Sequence, residues 1–374
     1  MFCRVVRFSL KTIWKTRLLP LPLKLKPKSA LPLSYKKVNP PRCPLRSIPR
    51  SDRHPQKGDA MSIFISGSVA YDTVLSFEGT FADHLLVDNL RELNVTFQTP
   101  RMIKNFGGCA GNIAYGLRML GATPFIASAW GQDCLEYQKH FERLGISTRG
   151  ILYFPKHFTA QALITTDRLG NQLTAFHEGA MAFAAAARAD EETLQLGVIA
   201  PMDTPVLRAH VRYLNERDVP IILDIGQASA YLTGEDMRWL IQRVNILTMS
   251  NYEWEVLLQK TQWNKETILA HVEAIVVTQA EKGATLTLAD GTERHFEAVP
   301  VNDFKSPVGC GDAFRSGLAR GLSINLGWEK SMRLATLMGA IKAEVDTPQG
   351  FCVTPEEVCA RYENLWHETL ALCD

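Results

Sequence analysis

The feature that most constrains the fold is a series of short apolar runs separated by segments of helical periodicity. Six such runs follow residue 61: SIFISGSVAYD, PFIASAWG, LGVIAPM, VPIILDIG, VNILTMS and AIVVTQ. Segments such as TPVLRAHVRYLNERD and GEDMRWLIQRV lie between them. Continuous apolar runs are typical of strands buried on both faces, and helical crossovers join parallel strands. The chain therefore predicts an α/β fold with a central, mostly parallel sheet flanked by helices.

Two other regions alternate apolar and polar residues on both sides of a turn. TAQALITTD and QLTAFHEGA flank RLGN, and GATLTLAD and TERHFEA flank DGT. This alternation predicts two half-exposed hairpins. With the strand-like run LNVTFQT near residue 96, the first hairpin is expected to form a small β lid, with strands roughly within 73–106 and 158–180. Three C-terminal helices are predicted at about 312–322, 328–345 and 355–372.

Residues 1–60 differ from the rest of the chain in charge and composition. They hold 15 Lys and Arg against two Asp, many Pro and no periodic apolar face. Such a segment is expected to be a disordered basic extension. Its longest apolar run, LLPLPL, is too short for a signal-peptide core or a membrane span. We interpret Met61 as the start of the folded domain, 61–374, and the head as spurious upstream sequence or a dispensable tail.

The charge of the remaining chain indicates what kind of partner it has. Residues 61–374 carry 26 Lys and Arg against 37 Asp and Glu. A net acidic surface repels a phosphate backbone, so we expect a small-molecule substrate and neither a nucleic acid nor a membrane partner. The eight cysteines are scattered without a CxxC pair or a His cluster. This pattern favours a reducing, cytoplasmic setting.

The stretch SPVGCGDAF places chemistry at the start of a predicted helix. Gly309, Cys310 and Gly311 form a turn whose backbone N–H groups point at an anion. Asp312 is either a general base facing that anion or a helix-capping carboxylate. A thiolate nucleophile at Cys310 is a third interpretation, because a helix N-terminus lowers the pKa of a thiol.

Two further motifs precede it in the chain. In NFGGCAGNIAYGLRMLG, Gly108 opens a helix and permits close approach of a ligand, while Asn112 offers a donor and an acceptor to a polyol. Tight helix packing through glycine explains the same residues equally well. Asp72 closes the first apolar run, where it serves either to bind two neighbouring hydroxyls of a sugar or to form a turn.

Together, GSVAYD, GGCAGNIA and GCGDAF in this order resemble the ribokinase-like (PfkB) family of carbohydrate and nucleoside kinases. The resemblance covers 61–374, and AFHEGAM, NYEWEVLL, TQAEKG and GCGDAFRSGLARGL are similar to the bacterial adenosine kinase branch. It implies a ribokinase-like fold, ATP and Mg2+ as cofactors, a nucleoside or sugar as substrate, and a homodimer through the lid.

The resemblance also implies a role for each motif residue. Asp312 would be the general base, and the amides of Gly309, Cys310 and Gly311 would stabilise the transferred phosphoryl group. Phe176 would stack on the purine. Glu253 would order Mg2+ through water. The remaining residues would bind the ribose (Ser68, Asp72, Thr96, Gly108 and Asn112) and the ATP (Thr278 and Gly283).

Four positions depart from the family's pattern. Ser306 replaces an acidic residue, Ser250 the Asn of the metal motif, Ala280 a Gly, and Ala162 a second purine-facing aromatic. The leading hypothesis is phosphorylation of the 5′-hydroxyl of adenosine by ATP. The alternatives are a sugar kinase of ribokinase or fructokinase type, a catalytically silent nucleoside-binding regulator and, last, a thiol hydrolase using Cys310.

Overall fold

The computed structural model of the protein describes residues 62–85, 94–190 and 192–372, so the predicted disordered head lies outside the described residues. The described strands are β1 (Ser62–Ser66), β2 (Ala70–Ser76), β3 (Arg101–Gly107), β4 (Pro124–Gly131), β5 (Ile151–Phe154), β6 (Ala160–Thr166), β7 (Gln172–His177), β8 (Leu194–Ile199), β9 (Ile221–Asp224), β10 (Ile246–Ser250), β11 (Ala274–Thr278), β12 (Ala284–Leu288) and β13 (Glu293–Phe296). The described α-helices are α1 (Phe81–His84), α2 (Cys109–Met119), α3 (Leu135–Leu144), α4 (Thr204–Asn215), α5 (Gly234–Ile241), α6 (Asn251–Thr261), α7 (Lys265–Leu269), α8 (Cys310–Ser323), α9 (Gly327–Ala343) and α10 (Pro355–Trp366).

The larger sheet has the strand order β13-β12-β11-β10-β9-β8-β1-β4-β5. Its neighbours from β11 to β5 are parallel, and β12 and β13 add an antiparallel hairpin at one edge. Helices cover both faces: Ile63 and Ile65 of β1 pack into one core cluster, and Phe64 between them packs into another. The predicted α/β fold is therefore confirmed. Strand β5, four residues long, was not predicted.

The smaller sheet has the order β3-β2-β6-β7, and its β6–β7 hairpin agrees with the prediction. The run SIFISGSVAYD, however, is two strands in two sheets. β1 ends at Ser66, and the chain crosses to the small sheet through Gly67, where an added Cβ would lie 3.0 Å from the Cβ of Ala200. Asp72 consequently lies inside β2 of the lid, and the prediction that it ends the first strand of the main sheet is wrong.

The strand predicted in LNVTFQT is also wrong for its described part, 94–99, which forms no strand. Within this part, Phe97 packs against the rings of Phe77 and Phe81. Ring contacts rather than a β-ladder therefore half-bury Phe97, and the lid strand on this side is β3.

The C-terminal helices follow the prediction at their starts. Pro355 is the first residue of α10, and Thr354 caps it in a reciprocal hydrogen-bonded box with Glu357. The helix stops at Trp366 and not near Leu372, because His367 adopts a left-handed conformation with φ of 54°. Within the described ranges, no helix has the length and apolar character that crossing a membrane requires.

Candidate active site

The N-terminus of α8 forms the centre of the site. Gly309 precedes the helix with φ of +86°, and an added Cβ would lie 2.8 Å from the Cβ of Pro348, so only glycine fits without strain. The Cys310 N–H donates to the carbonyl of Pro307 at 3.1 Å. Among the described residues, the N–H of Gly311 has no hydrogen-bond partner. The turn thus presents a free amide at the positive end of the helix.

Asp312 lies in the first turn of α8 and is only 8% exposed. Its Oδ2 accepts a hydrogen bond from Asn112 Nδ2 at 2.9 Å, and its Oδ1 lies 3.6 Å from Arg315 Nη1. Burial raises the pKa of Asp312, while Arg315 and then Asn112 oppose this effect by stabilising the carboxylate. A buried carboxylate with a raised pKa is a stronger base than an exposed one.

Close packing of α2 against α8 brings Asn112 to Asp312. One turn after Asn112, an added Cβ on Gly116 would lie 2.3 Å from Ser316 Oγ, one turn after Asp312. Gly116 therefore allows the two helices to pack closely. The same packing positions the amide of Asn112 on the carboxylate.

A second layer of hydrogen bonds fixes the orientation of Asn112. Gln349 Nε2 donates to Asn112 Oδ1 at 3.0 Å and to Tyr137 Oη at 2.7 Å. The Tyr137 hydroxyl in turn donates to the carbonyl of Gly107 at 2.7 Å. Since Asn112 Oδ1 is an acceptor here, its Nδ2 is directed at Asp312.

Asp72 faces the same space from the lid sheet. An added Cβ on Gly107 would lie 2.2 Å from Asp72 Oδ2, so the glycine leaves room for the carboxylate. Burial and then the charge of Asp312 raise the pKa of Asp72 to about 6. Ser68 lies below, where its Oγ accepts from the Cys109 N–H at 3.0 Å, and Gly108 beside it has φ of +83°.

One cross-strand row of the lid carries two of the predicted substrate residues. Asp72 of β2 pairs with Ala162 of β6, and Ala162 pairs with Phe176 of β7. Residues directly opposite one another project from the same face of a sheet, so Phe176 lies on the face of Asp72, two strand spacings or about 10 Å away. Ala162 between them is small, and Phe176 is 50% exposed. The row leaves a slot between a carboxylate and an aromatic ring.

A cavity of about 1360 Å³ extends from Asp312 in the direction of β10 and β11. The predicted anion-hole, ATP and metal residues all line it: Gly309, Cys310, Gly311, Glu253, Thr278 and Gly283. Gly283 has φ of +90°, and an added Cβ would lie 2.0 Å from the carbonyl oxygen of Phe296. Ala280, which also lines the cavity, has φ of +52°, in the left-handed region that favours glycine.

Comparison with known proteins identifies this arrangement. Residues 80–354 match the pfkB family of carbohydrate kinases, which is most of the chain. The chain belongs to this family and is a kinase. A nucleoside kinase from Burkholderia thailandensis, solved in complex with inosine, is 36% identical; the match covers 82% of this chain and 99% of that one, with a TM-score of 0.75. The same enzyme has been solved with ADP-inosine, at 37% identity over 82% of this chain and 97% of that one, with a TM-score of 0.71. A nucleoside kinase from Methanocaldococcus jannaschii is 26% identical over 235 residues, 62% of this chain and 76% of that protein.

Glu253, the residue predicted to order Mg2+ through water, caps a helix in the structure. Its Oε2 accepts from the Ser250 N–H at 2.7 Å, and the Ser250 side chain accepts from the Glu253 N–H at 3.3 Å. Ser250 therefore caps α6 at the position where the motif's Asn was expected. Asp224 Oδ1 lines the same cavity and, within the described part of the chain, is buried without a hydrogen-bond partner. Carboxylate oxygens placed in this way suit a hydrated Mg2+.

The sequence did not point to two charged residues at the centre of this site. Arg315 Nε lies 2.8 Å from Asp224 Oδ2, and both side chains are nearly buried. Burial raises the pKa of Asp224 to about 7, and Arg315 is the strongest opposing influence. Asp224 ends a buried parallel strand, which is the signal that could have identified it. Arg315 lies three residues after Asp312 on the same helix.

Two predicted site residues behave differently from the others. Thr96 is exposed, and its neighbour Phe97 packs against Phe77, five residues beyond Asp72 and so about 16 Å along an extended strand. The ribose role of Thr96 stays a prediction. Burial raises the pKa of the Cys310 thiol, whose Sγ lies 3.6 Å from the carbonyl oxygen of Ser306. A raised pKa disfavours the thiolate that a hydrolase needs.

Proposed function

We propose that this kinase transfers the γ-phosphoryl group of ATP to the 5′-hydroxyl of a purine nucleoside, with adenosine as its preferred substrate. The row of Asp72, Ala162 and Phe176 carries the proposal. A carboxylate and an aromatic ring on one face of the lid, about 10 Å apart, suit the ribose and the base of one nucleoside. The named nucleoside kinases among its relatives support the substrate class, and the resemblance to bacterial adenosine kinases supports adenosine.

The chemistry follows from the position of Asp312. Its carboxylate accepts the proton of the 5′-hydroxyl as that oxygen attacks the γ-phosphorus. The bond from phosphorus to the bridging oxygen of ADP breaks, leaving ADP and a nucleoside 5′-monophosphate. Amides of the turn before α8 stabilise the charge on the transferred group. Asp72 holds the ribose hydroxyls, and Asn112 holds the carboxylate of the general base, Asp312, in position.

Two cofactor sites lie along the cavity beyond Asp312. We infer that Thr278 and Gly283 contact ATP and that Glu253 and Asp224 hold Mg2+ through water. When bound, Mg2+ neutralises phosphate charge and orients the phosphates. Arg315 lies beside both Asp224 and Asp312, and its positive charge opposes the effect of burial on the pKa of each carboxyl.

A substrate panel tests the proposal. Residues 61–374 are assayed with ATP and Mg2+ on adenosine, inosine, guanosine, cytidine, ribose and fructose, each at the same concentration. The highest kcat/KM is expected for adenosine, followed by the other purine nucleosides. Ribose or fructose as the best substrate would point to a sugar kinase, and nucleoside binding without ADP formation would point to a silent regulator.

Water must be kept from the phosphoryl group for transfer to be specific. We infer that the lid closes over the ribose and excludes water. ADP formation without an acceptor is therefore expected to be much slower than with a nucleoside present. Fast hydrolysis of ATP alone would contradict a closed site.

We also infer a homodimer through the lid. Met102, Leu163 and Leu173 expose their side chains on the lid sheet, and their register places them on the face opposite to Asp72. Such an apolar face suits a second copy of the same sheet. Sedimentation velocity on the wild-type chain and on Leu163→Glu should give a dimer and a monomer, respectively.

A further inference from the structure

Helix α9 contains a lysine whose side chain is entirely buried. Lys342 is 0% exposed, and its Nζ donates to the carbonyl oxygens of Ser306 and Val345, each at 2.9 Å. A buried ammonium is costly unless polar groups compensate it. Burial lowers the pKa of Lys342, and the nearby Cys310 and Asp346 act in the opposite direction. The kinase chemistry described above does not use this group.

The two carbonyls belong to different parts of the chain. Ser306 lies three residues before Gly309, on the segment 305–309 that leads into the turn before α8. Val345 lies just beyond the end of α9, where unpaired carbonyls and the negative end of the helix favour a positive charge. The ammonium therefore joins the segment before the turn to the end of α9.

Other contacts also join segment 305–309 to the C-terminal end of α9 and the residues after it. The Lys305 N–H donates to the carbonyl of Ala343 at 2.8 Å. Pro348, beyond α9, lies so close to Gly309 that an added Cβ would contact it at 2.8 Å. The carbonyl of Ser306 also accepts the weak contact from Cys310 Sγ. Segment 305–309 is thus held by several contacts, and Lys342 binds the carbonyl that the thiol of Cys310 also contacts.

We propose that Lys342 is a positioning residue, a built-in cation that holds segment 305–309 in place and so directs the amides at the N-terminus of α8 at the phosphoryl group. This inference rests on the proposed role of the turn. Two carbonyl oxygens directed at one point repel each other unless a positive charge lies between them. A shift of about 1 Å in a catalytic group can cost about 100-fold in rate, so loss of the ammonium should affect catalysis before it affects binding.

Two variants separate the charge from the packing. Lys342→Met keeps an unbranched apolar stem but removes the charge, whereas Lys342→Ala removes both and opens space beside the carbonyls. We expect both variants to lose about 100-fold in kcat, with the KM for the nucleoside changed less than about threefold. NH4+ or K+, added at constant ionic strength against choline, should restore at least about tenfold to Lys342→Ala and nothing to Lys342→Met. The wild-type chain should not respond to either ion.

Lys330→Met is the matched control. It lies on the same helix, and its Nζ donates to the carbonyl of Thr369 at the surface, at 3.0 Å. Its kcat should equal that of the wild type. Folded Lys342→Met with wild-type kcat would overturn the proposal, and so would a loss confined to Lys342→Ala that no cation restores. If Lys342→Ala does not fold, the kcat of Lys342→Met alone tests the proposal: a loss of about 100-fold supports it, and a wild-type value contradicts it.

A second readout separates this inference from the proposed function. The melting temperature of Lys342→Ala should rise when NH4+ replaces choline, while those of the wild type and Lys342→Met should not. This measurement needs no substrate. A wild-type chain inactive on every nucleoside and sugar would contradict the proposed function, whereas absence of the NH4+ effect on melting would contradict the cation role.

Discussion

At the scale of single residues, the competition between Asp312 and Cys310 can be decided by experiment. Asp312→Asn keeps an oxygen that can accept from Asn112 but removes the base, and we expect kcat to fall by about 10² to 10⁴. Cys310→Ala should lose far less, because its Sγ only contacts the Ser306 carbonyl. Steady-state kinetics with the preferred nucleoside measure both. The reverse order of effects would point to thiol chemistry.

Substitution of Phe176 tests whether a purine binds between this ring and Asp72. Phe176→Ala removes a stacking surface whose loss costs about 1 to 3 kcal/mol, so the KM for adenosine should rise by about 5- to 150-fold. Turnover of ribose should not change, since ribose has no base to stack. Leu169→Ala, at the exposed tip of the same hairpin, is the control and should leave both unchanged. Equal losses with adenosine and ribose would mean that Phe176 only supports the lid.

The sequence predicts contacts between residues that are close along the chain better than contacts between distant ones. The glycine turn and Asp312 are neighbours in the chain, so local pattern and family resemblance both indicated them. Gln349 reaches Asn112 across 237 residues, and no local pattern reports such a contact. The pairing of Arg315 with Asp224 likewise requires α8 to lie against the end of β9.

At the scale of elements, continuous apolar runs identified the parallel strands because both of their faces are buried. The same criterion failed at 62–72, since residues on both sides of the crossing are buried and the pattern does not register a change of sheet. The strand prediction at 94–99 failed as well, because Phe97 is half-buried by aromatic rings and not by a neighbouring strand. The pattern of apolar residues in the sequence indicates which residues are buried. It does not indicate which strand, helix or ring buries them, and only the structure shows this.

The turn between β11 and β12 offers a prediction about a single element. Ala280 has φ of +52°, a backbone conformation that costs a non-glycine residue about 1–2 kcal/mol in the folded state. Glycine avoids this strain, but it lowers stability by about 0.4–1 kcal/mol because it increases the conformational entropy of the unfolded chain. Ala280→Gly should therefore raise the free energy of unfolding by about 0.5–1 kcal/mol in urea denaturation. Ala289→Gly, in the exposed turn after β12 and without positive φ, should lower it. Destabilisation by both would show that the left-handed conformation carries no strain.

At the scale of the whole molecule, the site concentrates negative charge. Asp224, Asp312 and Glu253 lie around one nearly buried arginine, Arg315, and their charges raise the pKa of Arg315 against the effect of burial, while Asp72 faces Asp312 from the lid. Without phosphate and Mg2+ the carboxylates repel one another, which is one reason for the raised pKa of Asp72. A ligand that brings Mg2+ relieves this repulsion. We therefore propose that the arrangement favours metal-bound nucleotide over the empty site.

This excess charge predicts how stability depends on pH. The pKa of Asp72 is about 6 in the folded protein and near its ordinary value of 3.8 in the unfolded chain, so between these pH values the folded state binds the extra proton. The free energy of unfolding must then fall as pH rises from about 4 to about 6, by about 1–3 kcal/mol from this group. Asp72→Asn removes that part of the slope and should be more stable than the wild type at pH 8. Urea denaturation across this range measures the slope. The same variant should bind adenosine more weakly, because the amide cannot accept two ribose hydroxyls as a carboxylate does. If the pH dependence of the free energy of unfolding is the same in Asp72→Asn as in the wild type, the Asp72 carboxylate must lie in water, away from the charge of Asp312.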